Sequence, residues 1–66
     1  MQNRIKQLRE KLNPTQIDFG KILEVSRQTV ISLESGKYNP SLPLAYKIAK
    51  IFEKTIEEVF IFEEEE

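Results

Sequence analysis

The chain has 66 residues, with 10 lysines and arginines, 11 aspartates and glutamates, and a formal net charge of −1 at pH 7. A chain of this length forms one small domain with a thin core, which needs disulfides, a metal, regular helix packing or a partner chain. Cysteine and histidine are absent, which excludes disulfides, the common zinc sites, and Ser–His or Cys–His nucleophile pairs. We expect no enzymatic activity, no metal, no cofactor and no small-molecule ligand.

The charge is divided unevenly along the chain. Residues 1–52 carry nine basic and four acidic side chains, whereas residues 53–66 carry one lysine and seven glutamates. A basic body beside an acidic tail indicates a nucleic-acid partner. The final run, Glu63–Glu66, has three interpretations that remain open: it keeps the chain soluble, it repels DNA, or it binds a basic protein.

The sequence contains no membrane or export signal. No apolar run approaches the roughly 18 residues that a membrane-spanning helix needs. The first residues, "MQNRIKQLREKL", are charged throughout and lack the apolar stretch of a signal peptide. We therefore expect a cytoplasmic protein with no membrane partner.

The first predicted helix lies in "QNRIKQLREKL", where Ile5, Leu8 and Leu12 have helical spacing. Asn13-Pro14 ends it, because proline disfavours the α conformation in the residue before it. A second helix is predicted over residues 16–23.

Thr15 is the expected N-cap of that second helix, and Asp18 makes a weaker form of a capping box with it. Phe19 is expected in the core. Gly20 lies mid-helix, which costs roughly 0.5–1 kcal/mol relative to alanine and indicates close approach by another helix.

A third helix begins after the N-cap Ser26 and runs to about Ser35, with Gly36 as its stop signal. Val30 and Leu33 are expected to face the core. The connection from the second helix is only two or three residues long. This spacing is typical of a helix-turn-helix, although short connections occur in any helix bundle.

The fourth helix is capped by Ser41 and tolerates Pro43, because first-turn amides lack intrahelical partners. Thr55 and Glu58 predict a capping box ahead of a short fifth helix. The apolar stripe expected along the fourth helix comprises Leu44, Ala45, Ile48, Ala49 and Phe52. The pattern predicts an all-α bundle of five helices over residues 1–60, followed by a tail over residues 61–66.

The start of the third helix, "SRQT", carries side chains suited to DNA bases. Arg27 and Gln28 are neighbours, so they cannot both face the core. Arginine can bond both acceptors of guanine in the major groove, and glutamine can pair with adenine. Ser32 lies one turn beyond Gln28 on the same face.

These segments resemble the Cro/C1-type (XRE-type) helix-turn-helix regulators over about residues 4–60. The most specific pieces are "TQ" at the second helix, "VSRQTV", "LESGKYNPS" and "LAYKIAKIF". The resemblance implies a compact five-helix, lambda-repressor-like domain with the helix-turn-helix at helices 2 and 3. The third helix would enter the major groove of double-stranded DNA.

The resemblance also implies roles for individual residues. Arg27, Gln28 and Ser32 would contact bases, and Arg9 and Glu34 would join the first helix to the third. The residues that would contact the DNA backbone, or both backbone and bases, are Gln16, Ser26, Thr29, Lys37, Tyr38 and Asn39. Taken singly, Arg27 and Lys37 could be ordinary surface charges and Tyr38 a packing residue.

The sequence departs from the family pattern at several positions. Glu24 and Glu53 stand where glycine is common, and a left-handed conformation at Glu24 would cost roughly 1–2 kcal/mol. Pro14 replaces a usual leucine. Three positions that are usually polar carry isoleucine, which indicates either a fuller apolar surface or a protein contact: Ile17, Ile22 and Ile31.

The apolar segment "VFIF" precedes the acidic tail. We expect Val59 and Phe60 to close the core, and Ile61 and Phe62 to reach a second subunit, as a short strand pairing with its twofold mate. The resemblance implies a dimer, and recognition helices about 34 Å apart match a palindromic site. The leading hypothesis is therefore a sequence-specific regulator that represses as a homodimer. The alternative is a protein-interaction module, such as an antitoxin-like partner of another protein.

Overall fold

The structure, a computed structural model, describes residues 2–62. Its elements in chain order are α1 (Ile5–Leu12), α2 (Gln16–Leu23), α3 (Arg27–Ser35), α4 (Leu42–Ile51) and α5 (Ile56–Val59). In this part of the chain, β pairing is confined to one isolated antiparallel bridge between Asn3 and Phe60. The prediction of an all-α domain of five short helices is confirmed.

Hydroxyl side chains begin four of the five helices. Thr15, Ser26, Ser41 and Thr55 each accept the backbone N–H three residues on, which satisfies an amide that has no intrahelical partner. Only Thr55 has the complete capping box, because the Glu58 carboxylate also accepts the Thr55 N–H at 2.8 Å. The capping positions were all predicted from the sequence.

One apolar core lies between the helices. Phe19 of α2 stacks on Phe52, with ring centroids 5.5 Å apart. Val59 and Phe60 are buried, as predicted, so the end of α5 closes the core. The buried apolar residues are Ile5, Phe19, Leu23, Val30, Leu33, Ala45, Ile48, Ala49, Phe52, Val59 and Phe60.

The first helix lies where the spacing of Ile5, Leu8 and Leu12 predicted it, and the segment before Ile5 is held separately. The Arg4 N–H donates to the Val59 carbonyl at 2.8 Å, and the Gln2 carbonyl accepts the Ile61 N–H at 2.9 Å. Residues 2–4 therefore pair with the end of the domain instead of adding a turn to α1. The helical spacing of apolar residues does not predict these non-local hydrogen bonds.

Two glutamates, at positions where the resemblance to the Cro/C1-type regulators implies that glycine is common, adopt the left-handed conformation. Glu24 has φ 63° and ends α2, where its N–H bonds the Gly20 and Lys21 carbonyls. Glu53 has φ 56° shortly after α4. Both residues are exposed, so the conformation strains the backbone without burying a charge.

Gly20 permits the tight turn between α2 and α3. A Cβ atom at this position would lie 2.8 Å from the Val25 carbonyl oxygen and 3.4 Å from Val30 Cγ2. The Val25 N–H donates to the Gly20 carbonyl at 2.8 Å. The close approach expected at this glycine thus involves the backbone of the turn as well as a side chain of α3.

Candidate nucleic-acid interface

Helix α3 presents one face to the core and another to solvent. Val30 and Leu33 are completely buried, which fixes the rotation of the helix. Arg27 and Gln28 in its first turn are therefore exposed, and Ser32 is half-buried beside them. The structure thus brings Gln28 and Ser32 together on one groove beside α3, whereas Arg27 is exposed at the start of the helix and does not line that groove.

The first turn of α3 is held by hydroxyl groups. The Ser26 Oγ accepts the Thr29 N–H at 3.1 Å, and it lies 3.0 Å from the Thr29 hydroxyl. Both residues border a shallow groove of about 440 Å³ along α3. The residues that line this groove are Val25, Ser26, Gln28, Thr29, Ser32 and Tyr38. Val25 is an addition to the predicted set.

Glu34 connects three helices. The Arg9 Nε of α1 donates to Glu34 Oε2 at 2.5 Å, and the Gln16 Nε2 of α2 donates to Glu34 Oε1 at 3.1 Å. Arg9 also bonds the Pro14 carbonyl at 3.1 Å, which holds the connection between α1 and α2. The predicted Arg9–Glu34 pair is present, and Gln16 belongs to the same network.

The loop after α3 is attached to that helix. The N–H groups of Lys37 and Tyr38 both bond the Ser32 carbonyl, at 3.1 and 3.2 Å. Gly36 has φ 83°, a conformation that glycine adopts without a steric penalty, and this turns the chain. The side chains of Lys37, Tyr38 and Asn39 are exposed. The predicted backbone-contacting loop therefore begins at the end of the predicted base-contacting helix.

Asn3 contributes to this region and was not anticipated. Its Nδ2 donates to the Leu33 carbonyl near the end of α3 at 2.7 Å, and its Oδ1 accepts the Ile5 N–H at 3.1 Å. Asparagine is a common cap residue, but no sequence pattern indicates a bond that joins positions 30 residues apart.

A second, apolar surface lies away from α3. Leu42, Tyr46 and Phe62 are exposed by 74, 58 and 56% and border a groove of about 740 Å³ between α4 and α5. Ile61 is half-buried, and its N–H is bonded to Gln2. The dimer contacts predicted for Ile61 and Phe62, and the domain boundary at residue 60, stay predictions. Leu42 and Tyr46 were not singled out in the sequence.

Among the carboxyl groups of residues 2–62, that of Glu58 has a clearly shifted pKa. The Thr55 backbone N–H donates to the Glu58 carboxylate and lowers the pKa of Glu58 below its ordinary value of 4.5, with a smaller contribution from Lys54. Glu58 belongs to the α5 cap and lies outside the α3 surface. Within residues 2–62, no helix is long and apolar enough to span a membrane, and no three potential metal-ligating side chains are grouped together.

The two helices α2 and α3, the tight turn between them and the exposed polar face of α3 define a helix-turn-helix protein. A family model described as helix-turn-helix matches residues 5–59, and the chain belongs to this family. The resemblance to the Cro/C1-type regulators is thereby confirmed.

The chain is also similar to full-length curated proteins. It is 56% identical to an uncharacterised HTH-type transcriptional regulator of Archaeoglobus fulgidus, over all of this chain and 93% of that protein. It is 54% identical to one of Methanocaldococcus jannaschii over the whole of both chains. It is 46% identical to the uncharacterised HTH-type transcriptional regulator YgzD of Bacillus subtilis, over 98% of both.

Proposed function

We propose that the protein is a sequence-specific regulator of transcription that binds double-stranded DNA through α3. The observation that carries the proposal is the exposed first turn of α3, where Arg27 and Gln28 stand next to each other on a helix anchored by Val30 and Leu33. Membership of the helix-turn-helix family and the names of the relatives, HTH-type transcriptional regulators, support the same role. Such a role requires no catalysis.

In this proposal, side chains on the solvent-exposed side of α3 contact the DNA bases. An α-helix fits the major groove of B-DNA, where Arg27 can donate two hydrogen bonds to guanine and Gln28 can pair with adenine. Ser32, half-buried one turn further on, can donate or accept one hydrogen bond. The hydroxyls of Ser26 and Thr29 are already bonded to each other, which suits them to secondary contacts at the groove edge.

In this proposal, the N-terminus of α2 and the loop after α3 contact the DNA backbone. Gln16 has one amide hydrogen bonded to Glu34, which leaves its second hydrogen for a phosphate oxygen. The N-terminal end of a helix such as α2 also favours an anion at the same place. In the loop after α3, the exposed side chains of Lys37, Tyr38 and Asn39 can contact other phosphates of the DNA backbone.

We further propose that the protein acts as a homodimer that represses a promoter by occupying a palindromic operator. The apolar surface of Leu42, Tyr46 and Phe62 supports this, because small soluble monomers rarely leave a contiguous apolar surface uncovered. A twofold axis there would make one half-site equivalent to the other. The place of action would be the cytoplasm.

A second candidate function is a protein-interaction module that resembles an antitoxin. It is favoured by Ile17 and Ile22 of α2, which are exposed by 52 and 49% at positions where the family is usually polar. A partner protein could cover these side chains. In that case DNA binding would be secondary or absent.

A titration against a randomised duplex pool separates the two functions. A regulator selects one palindromic sequence from the pool, and its affinity falls steeply as salt rises, because binding to phosphates releases counterions. Failure to bind any duplex at low salt would overturn the regulator proposal. Sedimentation of the complex with the selected duplex tests the dimer, for which we expect two chains per duplex.

A further inference from the structure

Asn3 lies where three separate parts of the protein meet. The start of α1 follows it, the end of α3 lies on one side, and the segment after α5 lies on the other. Its side chain is half-buried, and both ends of its amide group are used in hydrogen bonds. Asn3 therefore connects the N-terminal segment, the C-terminal segment and the helix proposed to read DNA.

The side-chain amide joins α1 to α3. Nδ2 donates to the Leu33 carbonyl at 2.7 Å, and Oδ1 accepts the Ile5 N–H at 3.1 Å. The Leu33 carbonyl belongs to the last turn of α3 and already accepts the Gly36 N–H at 3.1 Å, so the Asn3 amide is its second donor. The Asn3 amide therefore fixes the C-terminal end of α3, while the buried side chain of Leu33 fixes its rotation.

The backbone around Asn3 joins the same segment to the C-terminal end of the domain. The Arg4 N–H donates to the Val59 carbonyl at 2.8 Å, and the Ile61 N–H donates to the Gln2 carbonyl at 2.9 Å. Phe62, which follows directly, borders the exposed apolar groove. Hydrogen bonds thus connect Val59 and Ile61 through residues 2–4 to the end of α3, and Ile61 is covalently linked to Phe62 at the groove.

We propose that Asn3 is a positioning residue that couples the apolar groove beside Phe62, the proposed dimer surface, to α3, the proposed DNA-reading helix. The inference rests on the proposed function, because it needs α3 to read DNA and the groove beside Phe62 to meet a second copy. Through Asn3, the contact between subunits sets the distance and angle between the two copies of α3. The protein then binds best to operators whose half-sites have one particular spacing.

The competing explanation is that Asn3, the residue before the N-cap Arg4, only supports the start of α1 by accepting the Ile5 N–H. Asn3→Asp separates the two roles, because a carboxylate still accepts the Ile5 N–H and suits the positive end of the helix dipole. It cannot donate to the Leu33 carbonyl, so the connection to α3 is lost. Asn3→Ser is a second variant, since its hydroxyl can accept the Ile5 N–H but is too short to reach Leu33. Gln2→Asp is the matched control, with the same change in charge at an exposed neighbour whose backbone bonds remain.

The experiment measures affinity for the palindrome selected by the wild type and for versions with one base pair added or removed between half-sites. Circular dichroism identifies a temperature at which every variant is folded. We expect Asn3→Asp and Asn3→Ser to lose about five- to tenfold in affinity for the selected spacing, the scale of one hydrogen bond. Their affinity for the altered spacings should fall less, so the ratio of affinity for the selected spacing to affinity for the altered spacings becomes smaller. Gln2→Asp should leave this ratio unchanged.

Two outcomes overturn the inference in different ways. If the wild type distinguishes the spacings and both Asn3 variants retain its preference, Asn3 only supports the start of α1 and the inference alone is wrong. If the wild type binds no duplex, or binds as a single chain without a spacing preference, the proposed function fails and this inference fails with it.

Discussion

Arg9 of α1 and Glu34 of α3 form an ion pair whose side chains are only 10 and 6% exposed, with Arg9 Nε 2.5 Å from Glu34 Oε2. Glu34 also accepts a hydrogen bond from the Gln16 amide, so the same carboxylate connects α2 with α3, the proposed DNA-reading helix. Burying two charges costs solvation free energy that their attraction only partly returns. The pair is therefore better understood as orienting α1, α2 and α3 than as a large source of stability.

Removing one partner of this pair should destabilise the fold strongly. In Glu34→Ala, Arg9 stays buried without its carboxylate, and we expect a loss of roughly 3–5 kcal/mol in the free energy of unfolding. The double variant Arg9→Met, Glu34→Leu buries no charge and should be more stable than Glu34→Ala. Urea denaturation followed by circular dichroism measures both. Equal stabilities for the single and double variants would contradict this account of the pair.

Arg27 and Lys37 should have different effects on DNA binding. Arg27→Ala removes a proposed base contact, so we expect a loss of roughly 1–3 kcal/mol and relaxed sequence choice at one position of the operator. Lys37→Ala should weaken binding to all sequences alike and reduce the slope of log affinity against log salt by about one. Anisotropy titrations against single-base operator variants make the comparison. A uniform loss in both variants would show that Arg27 does not read a base.

Replacing a glutamate by glycine should have opposite effects at two exposed positions. Glu53 has φ 56°, so Glu53→Gly relieves strain and should stabilise the domain by about 0.5–1 kcal/mol after the entropy lost by glycine is counted. Glu57 lies in the first turn of α5, and Glu57→Gly should destabilise by about the same amount. The two substitutions change the charge equally. Thermal unfolding that moved in the same direction for both would contradict the assignment of strain to Glu53.

Acid should weaken the cap of α5. The Thr55 N–H bonded to the carboxylate holds the pKa of Glu58 below 4.5, so its stabilisation is fully present above that pH. It is lost as the pH falls through the lowered pKa, because the folded state must then take up a proton. In Glu58→Gln, whose amide oxygen can still accept the bond, this part of the pH dependence should vanish. Unfolding curves of both proteins between pH 7 and pH 2 should converge at the acidic end, and a constant difference would contradict the prediction.

Local patterns in the sequence were enough to predict most of the secondary structure. Thr15, Ser26, Ser41 and Thr55 mark helix starts because a short hydroxyl side chain bonds an amide only three residues away. The boundaries of α2 and α3 follow from such caps and from glycine at position 36. The outer positions of α3, Arg27 and Gln28, follow from the helical period once Val30 and Leu33 are placed inside.

Only the tertiary structure decided how distant parts of the chain meet. The spacing of Ile5 and Leu8 predicts α1, but no local pattern predicts that residues 2–4 bond to Val59 and Ile61. The bond from Asn3 to Leu33 and the shared use of Glu34 by Arg9 and Gln16 likewise join residues far apart in sequence. Composition and the spacing of apolar residues indicate the conformation that residues close in sequence prefer. These contacts, in contrast, form only after the core has packed. The sequence by itself therefore determined the helices and the residue types of the α3 surface, and packing decided how that surface is connected to the rest of the protein.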